Sequence, residues 1–348
     1  MLNQFSFFTL RSGDIKRGPR QLGDDGVGDS LNLGKSAGAI ARSAQQKTLK
    51  SSIHCSGIGL HGGEKISLSL HPADVDTGII FRRSDIRGIN ADVRASFENV
   101  HDTRLCTSLA NDAGVSIGTV EHLMAALAGC EIDNVEIALS GPEVPIMDGS
   151  AEPFVFLIEC AGIAEQGAAR RAIQILKPII AQSGDAVAKL TPSDSFSMKL
   201  AIDFDNPAIG EQCFEFGIDA KVFKDEISRA RTFGFLEDVE ALRKAGLALG
   251  GSLDNAVVVS GDRILNDGGL RFQDEFVRHK ALDCIGDLYL AGAPILGLFT
   301  GHRVGHAINN QLLRAVFADS EAWTYTTLDD DRQVNPRHWI DTPAAAVA

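Results

Sequence analysis

"GCEIDNVEIALSG", residues 129–141, has a counterpart further along the chain in "GGSLDNAVVVSG", residues 250–261. Both run from glycine through Asp-Asn into an apolar strand and out through Ser-Gly. Glycine closes a helix, Asp-Asn turns the chain, and the run that follows has the composition of a buried strand. The echo suggests a duplicated α+β module whose halves meet near residue 170, with chance similarity of two helix–turn–strand units as the bland alternative. Strands and helices alternate without strict βαβ order on either side of it. The reading is therefore α+β rather than a doubly wound parallel sheet.

Working outward, "KISLSLHPA" alternates apolar and polar residues and predicts a strand. "SIGTVEHLMAALAGC" predicts a helix that Ser116 or Thr119 can cap and Gly129 can end. "EVPIMDGSAEPFVFLIECAGI" is a loop leading into a helix, and "RAIQILKPIIAQ" and "SFSMKLAIDF" open a second run of strands. "LEDVEALRKAGLALGG" is a helix with a glycine stop, and "ILGLFTGHRVGHAINNQLLRAVF" is a strand, a glycine-punctuated loop and a last helix. The expected organisation has residues 1–46 as a disordered N-terminal extension, 47–170 as the first α+β domain, 171–320 as the second, and 321–348 as a polar tail.

With 348 residues and 44% apolar composition, most of the chain can bury a core. A net charge of −13 without a Lys/Arg cluster argues against nucleic acid. Six scattered cysteines and no CxxC point to a reducing, cytoplasmic setting without a disulfide framework. No stretch is long and apolar enough to span a membrane.

The segment that carries chemistry is "EFVRHKALDCIGDLYLAG", residues 275–292. Its apolar residues recur at helical spacing, yet His279, Asp283 and Asp287 stand at i, i+4 and i+8, in one row. A His/Asp pair one turn apart can grip one metal ion, and neutral imidazole and carboxylate are ordinary Zn²⁺ ligands. A His–Asp ion pair on a helix edge is the ordinary explanation of that pair taken alone. Asp287 adds a second carboxylate among apolar neighbours, and buried carboxylates need partners. Candidate partners are His122 and Glu121 at a helix start, and His302 and His306 in the glycine-rich "GHRVGHAINN". Glu121 also has a bland role, since a helix start favours a carboxylate. Together these residues make a metal hydrolase the leading class.

"TVEHLMAAL", "PIMDGSAEPFV", "RARTFGF", "GLALGGSLDNAVVV", "RHKALDCIGDLYLAG" and "GHRVGHAINN" follow one another in this order. In this the chain resembles the UDP-3-O-acyl-N-acetylglucosamine deacetylase (LpxC) family, zinc hydrolases of the committed step of lipid A biosynthesis. The resemblance implies two similar α+β domains packed as a layered sandwich with the active site between them. It implies His122, His279 and Asp283 as ligands of one Zn²⁺, and Glu121 as general base. It makes His306 the imidazolium that serves the leaving amine, Asp287 its orienting carboxylate, and Thr232 the hydroxyl that steadies the oxyanion. Lys280, Phe233 and His61 match substrate-contacting positions. Residues 236–259 match an insert that forms a passage for the acyl chain. A monomer acting on UDP-3-O-acyl-N-acetylglucosamine is what the resemblance implies. The long N-terminal extension departs from the compact form of the family. The competing readings are a zinc amidohydrolase of another acetylated amino sugar, and a sugar-nucleotide-binding protein in which the His/Asp row is structural.

Overall fold

The computed structural model describes residues 44–328. The first half runs through strands β1 (Gln45–Leu49), β2 (Ile53–Ile58), β3 (Lys65–Pro72), β4 (Ile79–Arg83) and β5 (Asp92–Arg94). A small meander of β6 (Val100–Asp102), β7 (Ser108–Ala110) and β8 (Ser116–Ile117) follows. Helix α1 (Glu121–Gly129), β9 (Val135–Leu139), helix α2 (Glu152–Ala161) and β10 (Ile163–Ala169) complete it. The second half opens with β11 (Arg171–Ile175), β12 (Ile179–Ser183), β13 (Ala186–Thr191), β14 (Phe196–Asp203) and β15 (Glu211–Gly217). Then come the single turn α3 (Ala220–Val222), β16 (Phe233–Phe235), α4 (Leu236–Lys244), β17 (Val257–Ser260) and β18 (Arg263–Ile264). Helix α5 (Glu275–Tyr289), β19 (Ile295–His302), α6 (His306–Ala318) and β20 (Trp323–Thr327) close the chain.

The two halves repeat one topology. In the first, the order is β2-β3-β9-β4-β5, with β9 antiparallel to β3 and parallel to β4. In the second, β12, β13, β19, β14 and β15 neighbour one another in the same order, and β19 is antiparallel to β13 and parallel to β14. Each central strand follows a helix, α1 before β9 and α5 before β19. The duplication is therefore real, but it relates β9 to β19 and not to β17. The strand of "NAVVVSG" lies instead in a separate sheet between β16 and β18. The Asp-Asn echo arises from similar turn chemistry at two unrelated places.

Strand patterning follows the sheets. In β3, Ile66, Leu68 and Leu70 point to one face and are buried, as alternation requires. The helices lie between the layers: α1 packs on α5 and α2, α5 on β14 and β15, and α6 on β12 and β13. One continuous apolar cluster joins both halves. The α1–α5 crossing is close because position 286 is glycine. A Cβ there would stand 2.0 Å from the Glu121 carbonyl oxygen. Burial on both sides explains why α5 departs from an amphipathic helix. Within Glu275–Tyr289 every residue but Arg278 is buried, so the polar row that looked like a helix edge is interior.

Residues 236–259 form α4, a glycine-rich loop and β17. With β16 parallel to β17, the unit is a βαβ crossover. Gly246, at φ 78°, ends α4, and the Leu247 amide closes onto the Leu242 carbonyl at 2.9 Å. Leu242 packs inward, whereas Leu249 and Leu253 are exposed.

Two boundaries move. The described residues open with β1, which pairs with β10 in a two-stranded sheet, and there Gln46 is buried with its amide bonding Asp76 and Asn134, so Gln45 and Gln46 are part of a folded strand. At the other end, residues expected in a polar tail form β20, which pairs antiparallel with β11. Residues 1–43 and 329–348 lie outside the described residues.

Candidate active site

Helix α1 starts behind Val120 without a side-chain cap. Ser116 belongs to β8, and the Thr119 hydroxyl turns instead to Glu143 at 3.0 Å, so neither residue caps the helix as expected. This start places Glu121 and His122 in the first turn, against α5 at Gly286. From α5, His279 and Asp283 face His122. The Asp283 Oδ1 lies 3.3 Å from His279 Nε2 and 3.7 Å from His122 Nε2. One ligand atom from each of the three falls within 4.8 Å of the others, and all three residues are buried.

The donors suit a divalent transition metal. His279 uses Nδ1 to bond the Ala230 carbonyl at 3.0 Å, which fixes its ring with Nε2 toward Asp283. Burial drives the imidazolium of His122 down to about 3 and lowers that of His279, so both rings are neutral and able to coordinate. Burial opposes ionisation of Asp283. Nearby positive charge, Lys280 and His306 among it, outweighs burial and holds the carboxyl below its usual range. His122 Nδ1 is buried with no hydrogen-bond partner among the described residues. Two neutral imidazoles and a carboxylate with converging lone pairs are a normal Zn²⁺ set, and they leave a coordination position for substrate or water.

A second row runs beside this one. His306 opens α6, and its Nδ1 meets Asp287 Oδ2 at 2.9 Å, while its Nε2 stands 4.0 Å from Glu121 Oε1. Asp287 is fully engaged, accepting from the Thr107 hydroxyl at 2.6 Å and from the Asn309 amide at 2.9 Å. Burial works against a charged His306, but the charge and hydrogen bond of Asp287 prevail and lift it to about 9. For Glu121, burial is the largest influence and raises the carboxyl to about 7, although His306 pulls it down. The backbone amide of Thr107 holds its other oxygen at 3.0 Å. Both groups are thus raised together, Glu121 remaining below His306, so that a carboxylate and an imidazolium stand side by side between about 7 and about 9.

Of the other candidates, Lys280 and Phe233 lie beside the triad. Lys280 is buried with Nζ 2.8 Å from Asp283 Oδ2. Phe233 is buried, its ring edge-on to Phe276 and 6.2 Å from the His279 ring. Thr232 is fixed through its backbone to Gly149 and Val257, each at 2.8 Å. His61 stands on the turn between β2 and β3, both ring nitrogens buried and without a partner among the described residues. His302 does not join them. It is exposed at the end of β19. Sequence reasoning missed Thr107, Asn309 and Glu143. Asn309 was findable, three residues beyond His306 on one helix face. Thr107 and Glu143 carry no spacing signal, because a loop and a strap bring them in.

Residues 46–318 match the family model described as UDP-3-O-acyl N-acetylglycosamine deacetylase. A UDP-3-O-acyl-N-acetylglucosamine deacetylase of Acidithiobacillus ferrooxidans is 52% identical over 306 residues, covering 87% of this chain and 99% of the relative. The enzyme of that name from Haemophilus influenzae is 52% identical over 292 residues, covering 83% and 95%. The one from Aliivibrio fischeri is 51% identical over 291 residues, with the same coverage.

Proposed function

Because the chain belongs to the UDP-3-O-acyl-N-acetylglucosamine deacetylase family, we propose that it hydrolyses the N-acetyl amide of UDP-3-O-acyl-N-acetylglucosamine, giving UDP-3-O-acyl-glucosamine and acetate at the committed step of lipid A biosynthesis. The observation that carries this reading is the union of two buried rows: His122, His279 and Asp283 in metal-binding proximity, and Glu121, His306 and Asp287 beside them. His122, His279 and Asp283 would hold Zn²⁺, which supplies an acidified water and polarises the amide carbonyl.

The remaining work falls to the protein. Glu121 takes the proton of the attacking water, a role suited to a carboxyl with a proton affinity raised to about 7. The Thr232 hydroxyl steadies the oxyanion, its backbone pinned so that the side chain need not be ordered at the moment of reaction. His306 enters charged, kept so by Asp287, and gives its Nε2 proton to the departing amine, which is too basic to leave as an anion. Thr107 and Asn309 fix Asp287 and thereby the aim of His306. Lys280, Phe233 and His61 face the substrate in this reading, and the α4–β17 insert receives the acyl chain. All six cysteines are free and no described helix is long and apolar enough to cross a membrane, which supports a cytoplasmic setting. The test is deacetylation of UDP-3-O-acyl-N-acetylglucosamine by the purified chain with and without a chelator. Loss on chelation and return on adding Zn²⁺ is the expected result, and full activity in the metal-free protein would refute it.

A further inference from the structure

Glu143 lies outside both rows, yet its carboxylate is buried and takes three hydrogen bonds from two separate segments. Oε1 accepts from the His61 amide at 2.8 Å and from the Thr119 hydroxyl at 3.0 Å. Oε2 accepts from the Gly62 amide at 3.1 Å. The backbone around it is laced to the same two places. Val144 donates to Gly118, Gly118 donates to Pro142, and Gly59 bridges Pro145. Gly59 gives way to the carboxylate, since a Cβ there would lie 2.6 Å from Oε2.

Each segment leads to a working part of the site. Thr119 sits two residues ahead of Glu121 in the left-handed region, at φ 57°, which a β-branched residue rarely adopts. The carboxylate takes the hydrogen bond of its hydroxyl, with Cys106 also in contact, and holds the kink that delivers Glu121 and His122 to α5. The His61 turn leads the other way. The carbonyls of Leu60 and His61 accept from Gly250 and Leu249, in the loop between α4 and β17. Gly250 has no room for a side chain there, a Cβ falling 2.2 Å from the Gly59 carbonyl oxygen.

We propose that Glu143 is a positioning residue that ties the start of α1 to the His61 turn and, through that turn, sets the α4–β17 insert against the catalytic centre. The inference rests on the functional reading above. A carboxylate is needed because three donors converge on two oxygens. In Glu143→Gln the amide NH₂ must face either the Gly62 amide or the His61 amide, so one contact turns from attraction to repulsion in a side chain of unchanged size.

The test uses the full chain and two readouts. Amide hydrogen exchange of wild type and Glu143→Gln is compared at residues 59–63 and 248–251, with α6 as the reference. Faster exchange in both segments, and none in α6, is the expected result. Faster exchange at 59–63 with 248–251 unchanged would overturn the coupling. In steady-state kinetics over a series of acyl lengths, Glu143→Gln is expected to raise KM by about tenfold for the long-chain substrate, the rise shrinking as the chain shortens. A KM unaltered at every length would overturn the role in positioning the insert. Thr119→Val cuts the arm to α1 alone and is expected to lower kcat severalfold with KM unchanged, and a rise in KM instead would overturn that division of the two arms. A wild-type chain without deacetylase activity would refute the functional reading, while the exchange comparison decides the coupling by itself.

Discussion

Replacing Gly286 by alanine adds one methyl group at the crossing of α1 and α5. That Cβ would stand 2.0 Å from the Glu121 carbonyl oxygen, 2.9 Å from its carbonyl carbon and 3.1 Å from the Ala125 amide nitrogen. All three atoms are backbone, so no rotamer change relieves the clash. To regain a 3.0 Å contact with the oxygen, α1 must retreat from α5 by about 1 Å. Overpacking of this kind costs about 1–3 kcal/mol, and each kcal/mol lowers the melting temperature by roughly 2–4 °C in a domain of about 150–250 residues and by less in a larger one. The catalytic effect is of the same size in free energy as the effect on folding. Glu121 and His122 ride on α1, while His279, Asp283 and Asp287 ride on α5, so the retreat opens both rows together. Misplacement of catalytic groups by about 1 Å costs about 10²-fold in rate. Gly286→Ala is therefore expected to remain folded, to bind Zn²⁺ more weakly, and to lose about 10²-fold in kcat/KM. Thermal unfolding, metal analysis and steady-state kinetics on one preparation read all three. Wild-type kcat/KM and metal content in a folded Gly286→Ala protein would refute the argument that the glycine sets the distance between the rows.

His279→Ala is expected to lose bound metal and activity together, and full zinc content measured by elemental analysis would show the ligand assignment to be wrong. The pH profile of kcat/KM is expected to rise as Glu121 loses its proton, near about 7, and to fall as His306 loses its own, near about 9. In Asp287→Asn the pull of burial on His306 is no longer overcome by Asp287, so the alkaline limb should move to lower pH and narrow the bell; an unmoved limb would remove His306 or Asp287 from the mechanism. A passage lined by the insert should reward each buried substrate CH₂ with about 0.8 kcal/mol, so kcat/KM should fall by orders of magnitude as several carbons are removed, and Leu247→Trp should penalise long chains most. A flat series on wild type would refute the passage. A chain beginning at Ala44 is expected to keep full stability and turnover, whereas one beginning at Lys47 should be destabilised by about 1–3 kcal/mol, since it strips Asn134 and Asp76 of the buried Gln46 amide. Equal denaturant midpoints for the two would contradict this.

What the sequence determined by itself was local and chemical. The 3.6-residue spacing in "EFVRHKALDCIGDLYLAG" put His279, Asp283 and Asp287 on one helix row, and side-chain chemistry made two of them a metal pair. Alternation and glycine punctuation located β3, β9, β17, β19 and the ends of α1 and α4 to within a few residues. The motif order carried the family, and with it the proposed ligands, base and acid. The tertiary structure decided what depends on distance between segments remote in sequence. It decided that β9 is repeated by β19 and not by β17, because a repeat is defined by strand pairing and the Asp-Asn turns are shared by unrelated elements. It decided that α5 is buried nearly all round, because helix α1 and strands β14 and β15 pack against it, where the spacing alone left the row between a buried site and a helix edge. It brought Thr107 and Asn309 to Asp287, and Glu143 to Thr119 and His61, across separations that leave no pattern in the chain. Spacing along one helix fixes which groups share a face. The folding of loops and straps around that helix fixes which groups hold a charge, and only that second step raises Glu121 and His306 as a pair.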